Sequence, residues 1–469
     1  MSYESKPRVI IVGAGPVGLV AASLLVEEGV PVTLIETCPE LPHDLRASTF
    51  HPPTLDMLER FGVVPAMIDQ GLICPTWQFR DRNEGVVATF DLSRLLPDTK
   101  HPYRLQCEQW RLGELLYARL QKEPLATIRL GTKAVAARQS ADGVEVDVVT
   151  ADGKQETLKG GFLVGADGIG SVVRHAIGAA FDGITIPELF LTLSTTFDFR
   201  EAMPDLANIC YLSDPKEWYV LIRTKRVWRA LFPVDAALED KDVTSPERGE
   251  RLLQGAWRRS EPYEVTHRTA YRVHERVAST YVKGRMLIAG DAAHVNNPLG
   301  GMGLNGGIHD AFNLAEKLTA VIRGAPLETL ERYSRQRRKV ALDVVQLMTE
   351  AMSQRLVDFN RERRHLAQFF APRVITELLN DPAYHEKFLS PREDTIAVLY
   401  ADINSFTKLS EQVLVRPAAI AEFVDRWSAG AVGILWEHGG VFDKMVGDCI
   451  IGLFGPPFFR DEPAARARA

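Results

Sequence analysis

The sequence has 469 residues, which is enough for two or three domains. Apolar residues make up 46% of the chain and charged residues 25%, as is usual for soluble globular proteins. The net charge of −6 gives no reason to expect nucleic acid or an anionic membrane as a partner, and no segment has the uninterrupted length of a membrane span. The five cysteines are scattered without a Cys-x-x-Cys pair, so we expect neither a disulfide framework nor a zinc site, and a cytoplasmic location.

Residues 8–36 have the layout of a β-α-β dinucleotide-binding unit. A short apolar strand is followed directly by Gly13-x-Gly15-x-x-Gly18, a helix, and a second strand that ends in Glu36. In such a unit the first glycine permits the tight turn, the second lets the pyrophosphate approach, and the third lets helix and strand pack closely. Glu36 can accept the ribose hydroxyls and disfavours a 2′-phosphate, so FAD or NAD fits this site better than NADP.

Two later segments each combine a buried strand with an acidic turn. FLVGADGIGSVVRHAIG, residues 162–178, contains Asp167 in an Asp-Gly pair. Residues 284–318 contain Asp291 in a Gly-Asp pair, followed by the loop PLGGMGLN and a helix. The glycines of that loop would let the backbone pass close to a flat ring. The two segments therefore predict a second part of the same cofactor site.

These turns resemble two signature motifs of the flavin-dependent aromatic hydroxylases, the para-hydroxybenzoate hydroxylase-like family, over residues 8–345. Arg46 in LRAST and Gln106 in YRLQCEQ are similar to two further FAD contacts of that family. The resemblance implies that Asp167 helps to place both FAD and the nicotinamide donor. It also implies that Asp291 holds the ribityl chain of FAD.

The loop PLGGMGLN is expected to lie against the flavin ring. Pro298 matches the proline that the family places over the flavin. A helix is predicted from about Gly303, and its positive end would stabilise the negative charge of a reduced flavin near N1 and O2. The backbone N–H groups of Leu304 and Asn305 are the expected donors.

The middle of the chain, residues 76–103 and 181–280, is strand-like and rich in aromatic residues. It resembles the sheet with which the family covers the flavin and binds its substrate. Most aromatic residues on such a sheet belong to the core. We expect Trp218, Tyr219 and Phe232 to line an apolar pocket.

The chemistry implied by the resemblance is a monooxygenation. NAD(P)H reduces FAD, O₂ adds to form a flavin C4a-hydroperoxide, and one oxygen atom passes to an electron-rich ring. No second Gly-x-Gly-x-x-Gly follows a strand, which agrees with a family in which NAD(P)H binds only transiently. The catalytic side chains are left unknown. His51, as a proton relay, and Pro298 are the candidates, although a lone histidine such as His51 or His294 is more often a structural hydrogen-bonding residue.

The C-terminal segment has a different pattern. TIAVLYADINSFTKLSEQV is a buried strand that ends in Asp402, and GGVFDKMVGDCIIGLF is a hairpin that carries Lys444 and Asp448. Carboxylates at adjacent strand ends suit divalent metals. The segment resembles the start of a class III adenylate/guanylate cyclase domain. The resemblance implies Mg²⁺ ligands at Asp402, Asp448 and the Ile403 carbonyl, and selection of adenine by Lys444. Its later catalytic residues have no counterpart, so we expect an incomplete, inactive cyclase-like domain.

The expected fold class is α/β, with a Rossmann-like FAD-binding domain, an inserted mixed-sheet substrate domain, a helical connector and a partial α+β cyclase-like domain. The predicted boundaries are 1–75, 104–180 and 281–345 for the FAD-binding domain, 76–103 and 181–280 for the substrate domain, 346–393 for the connector, and 394–469 for the truncated cyclase-like domain.

The leading prediction is an FAD-dependent monooxygenase that uses NAD(P)H and O₂ to hydroxylate a small, phenol-like aromatic substrate. The alternative is a flavin redox sensor coupled through the connector to a cyclic-nucleotide output. A halogenase on the same fold is disfavoured because the sequence contains no Trp-x-Trp-x-Ile-Pro segment. The sequence determines neither the substrate nor the choice of NADH or NADPH. A homodimer is one open alternative, since cyclase domains pair.

Overall fold

The computed structural model of the chain divides into two units, Met1–Gln354 and Arg355–Ala469. The residues that it describes are 7–43, 47–82, 85–214, 218–235, 240–346, 366, 369–371, 374–375, 396–403, 406–410, 414, 416–446 and 448–454.

A six-stranded, mainly parallel sheet organises the first unit. Its central strand, Val9–Val12, is apolar and fully buried, as expected for a parallel sheet covered by helices on both faces. From edge to edge, the strands are Val282–Lys283, Met286–Ile288, Phe162–Gly165, Val9–Val12, Val32–Ile35 and Ala126–Arg129.

Helices cover this sheet and share one hydrophobic core with it. The helix that follows the glycine turn, Pro16–Glu27, packs against two others, Gln109–Leu120 and Met302–Ile322. The remaining helices of this part are Pro52–Leu58, Val64–Gln70, Val172–Ile177 and Thr329–Val340.

Two small sheets extend this layer. One is an antiparallel meander, and the other ties the residues before Pro52–Leu58 to a later strand. In spatial order, the strands of the meander are Gln155–Gly160, Val144–Thr150 and Thr132–Gln139. Those of the other sheet are Thr49–Phe50, Arg104–Gln106 and Leu72–Cys74.

An eight-stranded mixed sheet forms the rest of the first unit. One face packs on the helix Pro246–Ala256 and forms a second hydrophobic core, to which the short helix Asp240–Val243 contributes Val243. From edge to edge, the strands are His294–Val295, Val265–Ala278, Phe181–Thr195, Trp228–Asp235, Tyr219–Arg223, Ile209–Ser213, Thr76–Asp81 and Gly85–Asp91.

All but one of these strands come from residues 76–103 and 181–280, the segments predicted to form the substrate domain. The exception is His294–Val295, which follows the Gly-Asp turn of the six-stranded sheet. The prediction of an α/β fold with mixed sheets is confirmed for this unit, and the exact domain boundaries stay a prediction.

The second unit contains a three-stranded antiparallel sheet, with Cys449–Phe454 between Ala397–Asp402 and Val441–Val446. The helix Pro417–Glu437 packs on Val441–Val446 and Cys449–Phe454, and a short helix spans Phe406–Leu409. The predicted connector, 346–393, lies almost wholly outside the described residues. No helix in the described ranges is long and apolar enough to cross a membrane.

Candidate active site

A cleft with a volume of ≈ 560 Å³ lies between the glycine-rich turns beside the six-stranded sheet and one face of the eight-stranded sheet. The turn at 13–18 and the loop at 300–305, predicted to hold opposite ends of one dinucleotide, both contribute to its lining. The predicted cofactor-binding residues that line it are Gly15, Asp167, Asp291, Pro298, Gly303 and Leu304.

The first glycine turn is tight at two of its glycines and open at the third. Gly13 has a φ of +101°, and a Cβ there would lie 2.3 Å from the carbonyl oxygen of Ala166. A Cβ on Gly18 would lie 1.9 Å from the Gly13 oxygen. A Cβ on Gly15, in contrast, would meet no described atom within 4 Å. Gly13 and Gly18 therefore permit close packing, whereas Gly15 leaves space open to the cleft at the start of a helix, where phosphates bind favourably.

Glu36 lies beside this turn. One carboxylate oxygen accepts a hydrogen bond from the Ala14 N–H at 2.8 Å, and the other accepts one from the Cys38 N–H at 3.0 Å. The side chain is half-buried and does not line the cleft itself. The strand end thus fixes the carboxylate next to the turn, where the adenosine ribose is expected.

The Asp-Gly turn is held by its own aspartate. Asp167 accepts hydrogen bonds from the Ser171 hydroxyl at 2.5 Å and from the Val172 N–H at 2.7 Å. Burial raises the pKa of Asp167 above its usual range, although these hydrogen bonds oppose the shift. Arg174 donates to the carbonyl oxygen of Ala292 at 3.0 Å. This contact joins the Asp-Gly turn to the Gly-Asp turn that carries the exposed, cleft-lining Asp291.

The loop before the long helix requires glycine. Gly300 and Gly301 have φ values of +83° and +68°, and a Cβ on Gly301 would approach the Thr49 side chain to 3.2 Å. The helix begins at Met302, one residue before its predicted start. Its first N–H groups lack partners within the helix. The helix therefore presents donors at the part of the cleft lined by Gly303 and Leu304.

Asn305 lies just behind the cleft lining. Its amide nitrogen donates to the backbone oxygens of Thr49 at 2.9 Å and Gly301 at 2.7 Å, and its oxygen accepts from the His51 N–H at 2.9 Å. The side chain is buried. Its role in the structure is to join the helix start to the strand Thr49–Phe50 across 256 residues of sequence.

Gln106 also lies behind the lining. It is fully buried and exchanges hydrogen bonds with Thr49, while the Ser48 hydroxyl donates to its oxygen at 3.0 Å. Ser48 and Thr49 line the cleft, and Gln106 does not. Arg46, the other residue predicted from the family's FAD contacts, lies outside the described residues.

His51 is held neutral by its surroundings. Burial and the positive charge of Arg104 lower its pKa to about 3. Its Nε2 is buried without a hydrogen-bond partner of good geometry among the described residues, and lies 3.6 Å from where a Gly301 Cβ would be. The ring is thus a neutral imidazole next to the glycine loop, with one ring nitrogen available.

The opposite wall of the cleft belongs to the eight-stranded sheet. Tyr211 is buried, and its hydroxyl accepts a hydrogen bond from the Gly300 N–H at 3.1 Å. Burial raises the pKa of Tyr271, which keeps this phenol protonated. The residues of this wall are Ile209, Tyr211, Val220, Ile222, Arg229, Leu231 and Tyr271.

Two of the aromatic residues expected in the pocket belong to the core instead. Tyr219 and Phe232 are each 1% exposed, and their rings lie 5.3 Å apart on the other face of the sheet. Each of the two is next in sequence to a residue that lines the cleft, and successive residues of a strand point to opposite faces. Trp218 is not a lining residue either. Its ring lies 5.8 Å from that of Phe190.

Two guanidinium groups give the cleft a positive character that was not predicted. Arg229 is 6% exposed and donates to the Ser48 hydroxyl at 3.4 Å. Arg104 lies over the ring of Trp77 at 5.1 Å. Both line the cleft. Arg229 has a sequence signal in retrospect, since it is a charged residue between apolar neighbours in a buried strand.

In the second unit, the three-stranded sheet brings the predicted metal aspartates near each other. Asp402 pairs in register with Cys449, the residue after Asp448. Ile403 follows directly, and Lys444 lies on Val441–Val446, which is separated from the Asp402 strand by Cys449–Phe454. Among the described residues, no group of three or more His, Cys, Asp or Glu side chains is arranged to hold a metal ion. A Mg²⁺ site here stays a prediction.

Comparison with known proteins identifies the family. A family model described as an FAD binding domain matches residues 6–348. The para-nitrophenol 4-monooxygenase of Pseudomonas sp. (strain WBC-3) is 37% identical over 345 residues, which cover 72% of this chain and 85% of that protein. The chain belongs to the FAD-dependent aromatic monooxygenases.

Solved structures of such monooxygenases have the same fold. The p-nitrophenol 4-monooxygenase of Pseudomonas putida DLL-E4 is 34% identical with a TM-score of 0.69, over 75% of this chain and 93% of that one. Aklavinone-11 hydroxylase, solved as a ternary complex with FAD and aklavinone, is 28% identical with a TM-score of 0.63, over 72% of this chain and 67% of that one. The family match ends at residue 348, so the cyclase-like character of residues 394–469 stays a prediction.

Proposed function

We propose that this monooxygenase uses NAD(P)H and O₂ to hydroxylate a small phenol-like substrate in the cleft between its two large sheets. The observation that carries the proposal is the asymmetry of the cleft. One wall consists of glycine turns and helix starts, which suit a dinucleotide, and the other consists of aliphatic and phenolic side chains with Arg229. A flat, partly polar ring fits between these walls.

The residues of the first wall fit FAD. The open space at Gly15 would admit the pyrophosphate, Glu36 would accept the ribose hydroxyls, and Asp291 would hold the ribityl chain. The N–H groups at the start of the Met302–Ile322 helix would face the flavin ring. When bound, FAD accepts a hydride and, once reduced, activates O₂.

The second wall would exclude water and orient the substrate. Ile209, Val220, Ile222 and Leu231 offer an apolar surface to an aromatic ring. Excluding water from this space limits side reactions of the activated oxygen. The contact between Tyr211 and Gly300 holds the sheet against the glycine loop and would help to exclude water from the cleft.

The substrate we propose is a phenol that binds as its phenolate. Arg229 and Arg104 supply positive charge in a partly desolvated space, where an anion is stabilised more strongly than in water. A para-nitrophenol monooxygenase among the relatives supports an acidic phenol. An electron-rich phenolate is also the ring form most reactive towards electrophilic oxygen.

The test is NAD(P)H oxidation by the purified, FAD-loaded chain with a panel of phenols, anisoles and alkylbenzenes. We expect phenols, 4-nitrophenol among them, to stimulate oxidation and to gain one oxygen atom from ¹⁸O₂, seen by mass spectrometry. Slow oxidation that no aromatic compound accelerates would instead support the flavin-sensor alternative. Labelled oxygen from H₂¹⁸O in the product would contradict a monooxygenase.

For the second unit, we propose a cyclase-like segment without cyclase activity. The cyclase-like character is supported by the proximity of Asp402 and the turn residue Asp448, and by Lys444 on Val441–Val446, which pairs with Cys449–Phe454. The measurement is cyclic AMP formation from ATP with Mg²⁺ or Mn²⁺. Product formed by the 469-residue chain would refute the proposal.

A further inference from the structure

A buried charged cluster lies directly behind the Gly-Asp turn. The carboxylate of Asp310, which is fully buried, accepts hydrogen bonds from His294 Nε2 at 2.7 Å, from the Gly290 N–H at 3.0 Å and from Arg337 Nε at 2.5 Å. None of the four residues lines the cleft. The cluster is therefore separate from the cofactor-facing wall, and the sequence motifs assign no role to Asp310 or Arg337.

The cluster joins three elements: two that contribute residues to the cleft lining, and one that packs behind them. Asp310 belongs to the helix Met302–Ile322, whose first turn lines the cleft, and Gly290 begins the turn that carries Asp291. Arg337, from the helix Thr329–Val340, also donates to the carbonyl oxygen of Gly306 at 3.1 Å. One carboxylate thus sets the distance between the Gly-Asp turn and the start of the long helix.

The electrostatics favour an ionised group at this point. Burial alone would raise the pKa of Asp310, but His294 and Arg337 lower it overall, so the carboxylate keeps its charge. Burial alone would likewise lower the pKa of His294, but the Asp310 carboxylate raises it overall. A buried ion cluster of this kind is not a strong source of stability compared with apolar packing. Its geometry, which fixes three backbone segments, is the more informative property.

We propose that Asp310 is a positioning residue for FAD, which holds the Asp291 turn and the N-terminus of the Met302–Ile322 helix at the separation that the cofactor requires. Without the carboxylate, the Gly290 N–H loses its acceptor and Arg337 loses its buried counter-charge. The turn and the helix start would then shift independently. The inference rests on FAD binding by the family and not on the proposed phenolic substrate.

The test is Asp310→Asn, which keeps the size of the side chain and removes its charge. Release of FAD from the loaded full-length enzyme is followed by the recovery of free flavin fluorescence on dilution. We expect FAD to bind about tenfold more weakly or worse, by analogy with residues that orient the ligands of a metal ion. We also expect the visible spectrum and the reduction potential of the remaining bound flavin to change, which a general loss of stability would not cause.

Asp198→Asn is the matched control. Asp198 also accepts hydrogen bonds from two arginines, Arg200 and Arg223, and one from Trp228 Nε1, but it does not line the cleft and contacts neither motif turn. Loss of the Asp198 charge should lower the melting temperature of the protein and leave FAD affinity and the flavin spectrum unchanged.

If Asp310→Asn does not fold, Arg337→Gln perturbs the same cluster from its other side, because it removes the counter-charge that orients the Asp310 carboxylate; the Arg337 side chain is 11% exposed. Weaker FAD binding and an altered flavin spectrum in the folded variant would support the proposal. FAD affinity and a spectrum equal to those of the wild type would overturn it. Both outcomes are independent of whether any phenol is hydroxylated.

Discussion

The hydroxyl of Tyr211 accepts a hydrogen bond from the backbone N–H of Gly300 at 3.1 Å, so the substrate-facing sheet is tied directly to the loop that leads into the long helix. Both residues line the cleft. This contact thus couples the two walls at the point where the proposed reaction takes place.

Replacing Tyr211 by Phe removes the acceptor and leaves a buried N–H group unsatisfied. We expect a loss of about 1–3 kcal/mol in the free energy of unfolding. We also expect less hydroxylated product for each NAD(P)H consumed, because the loop closes less tightly on the reactive oxygen. The measurement is the ratio of product to NAD(P)H with a stimulating phenol.

Tyr219→Phe is the control for that change. The Tyr219 hydroxyl donates to the Ala256 oxygen at 3.2 Å on the other face of the same sheet. The Tyr219→Phe variant should be less stable than the wild type, with an unchanged ratio of product to NAD(P)H. Equal ratios for Tyr211→Phe and the wild type would contradict the role given to Tyr211.

Gly15→Ala should separate cofactor binding from folding. Gly15 has an ordinary φ of −68°, and its added Cβ would meet no described atom of the chain within 4 Å. We therefore expect a melting temperature of the FAD-free protein close to that of the wild type, but a much smaller increase when FAD is added. The methyl group would occupy the space proposed for the pyrophosphate.

Gly13→Ala provides the contrast. Its Cβ would lie 2.3 Å from a backbone oxygen at a positive φ, so this variant should be destabilised with or without FAD. If Gly15→Ala gained as much thermal stability from FAD as the wild type, the pyrophosphate would not lie at this turn.

Arg229→Met tests the charge of the substrate. A hydrogen bond to a charged group contributes about 1.5–3 kcal/mol, so we expect KM for a phenolate to rise by about tenfold or more. KM for NAD(P)H should change little. The exposed Arg226, on the turn before the same strand, is the control for the loss of one positive charge. A KM for phenolate equal in Arg229→Met and Arg226→Met would exclude a phenolate contact.

His51 predicts a pH dependence of stability. Its pKa is about 3 in the folded chain and 6.5 when unperturbed, so between these values the unfolded state binds more protons. Stability is therefore lost as the pH falls below about 6.5, by up to about 1.4 kcal/mol per pH unit. The measurement is the free energy of unfolding in urea at several pH values.

His51→Gln should flatten part of that slope. His309 contributes to the pH dependence that remains, because its pKa is lowered to about 4, mainly by burial and also by Arg337. A slope that is the same in His51→Gln and the wild type would mean that His51 is not buried neutral in the folded protein.

The sequence predicts the parts of the site that depend on local geometry. The turn at Gly13–Gly18 and the acidic turns at Asp167 and Asp291 are short motifs whose backbone conformation is set by neighbouring residues. The structure brings them to one cleft because each follows a strand of the same parallel sheet. Strand ends at one edge of a sheet meet whatever the length of chain between them.

The rest depends on contacts between distant residues. Gln106 was predicted as a cofactor contact, yet its amide exchanges hydrogen bonds with Thr49. The side chain of Asn305 also binds Thr49, whereas the role of its backbone N–H towards the flavin stays a prediction. On the eight-stranded sheet, the predicted pocket residues Tyr219 and Phe232 are sequence neighbours of residues that line the cleft. Aromatic content alone does not say which face of a strand is turned towards the pocket. The role of Asp310 could not be predicted from the 284–318 motif that contains it, because its partner Arg337 is on a separate helix.

The alternation on the strand Tyr219–Arg223 has a practical result for enzyme design. Val220 and Ile222 reach the cleft, while Tyr219 and Leu221 belong to the second hydrophobic core. Exchanging every other position would therefore reshape the space for the aromatic ring while the scaffold beneath it keeps its packing. New ring substituents could be accommodated by a library confined to a few alternate positions.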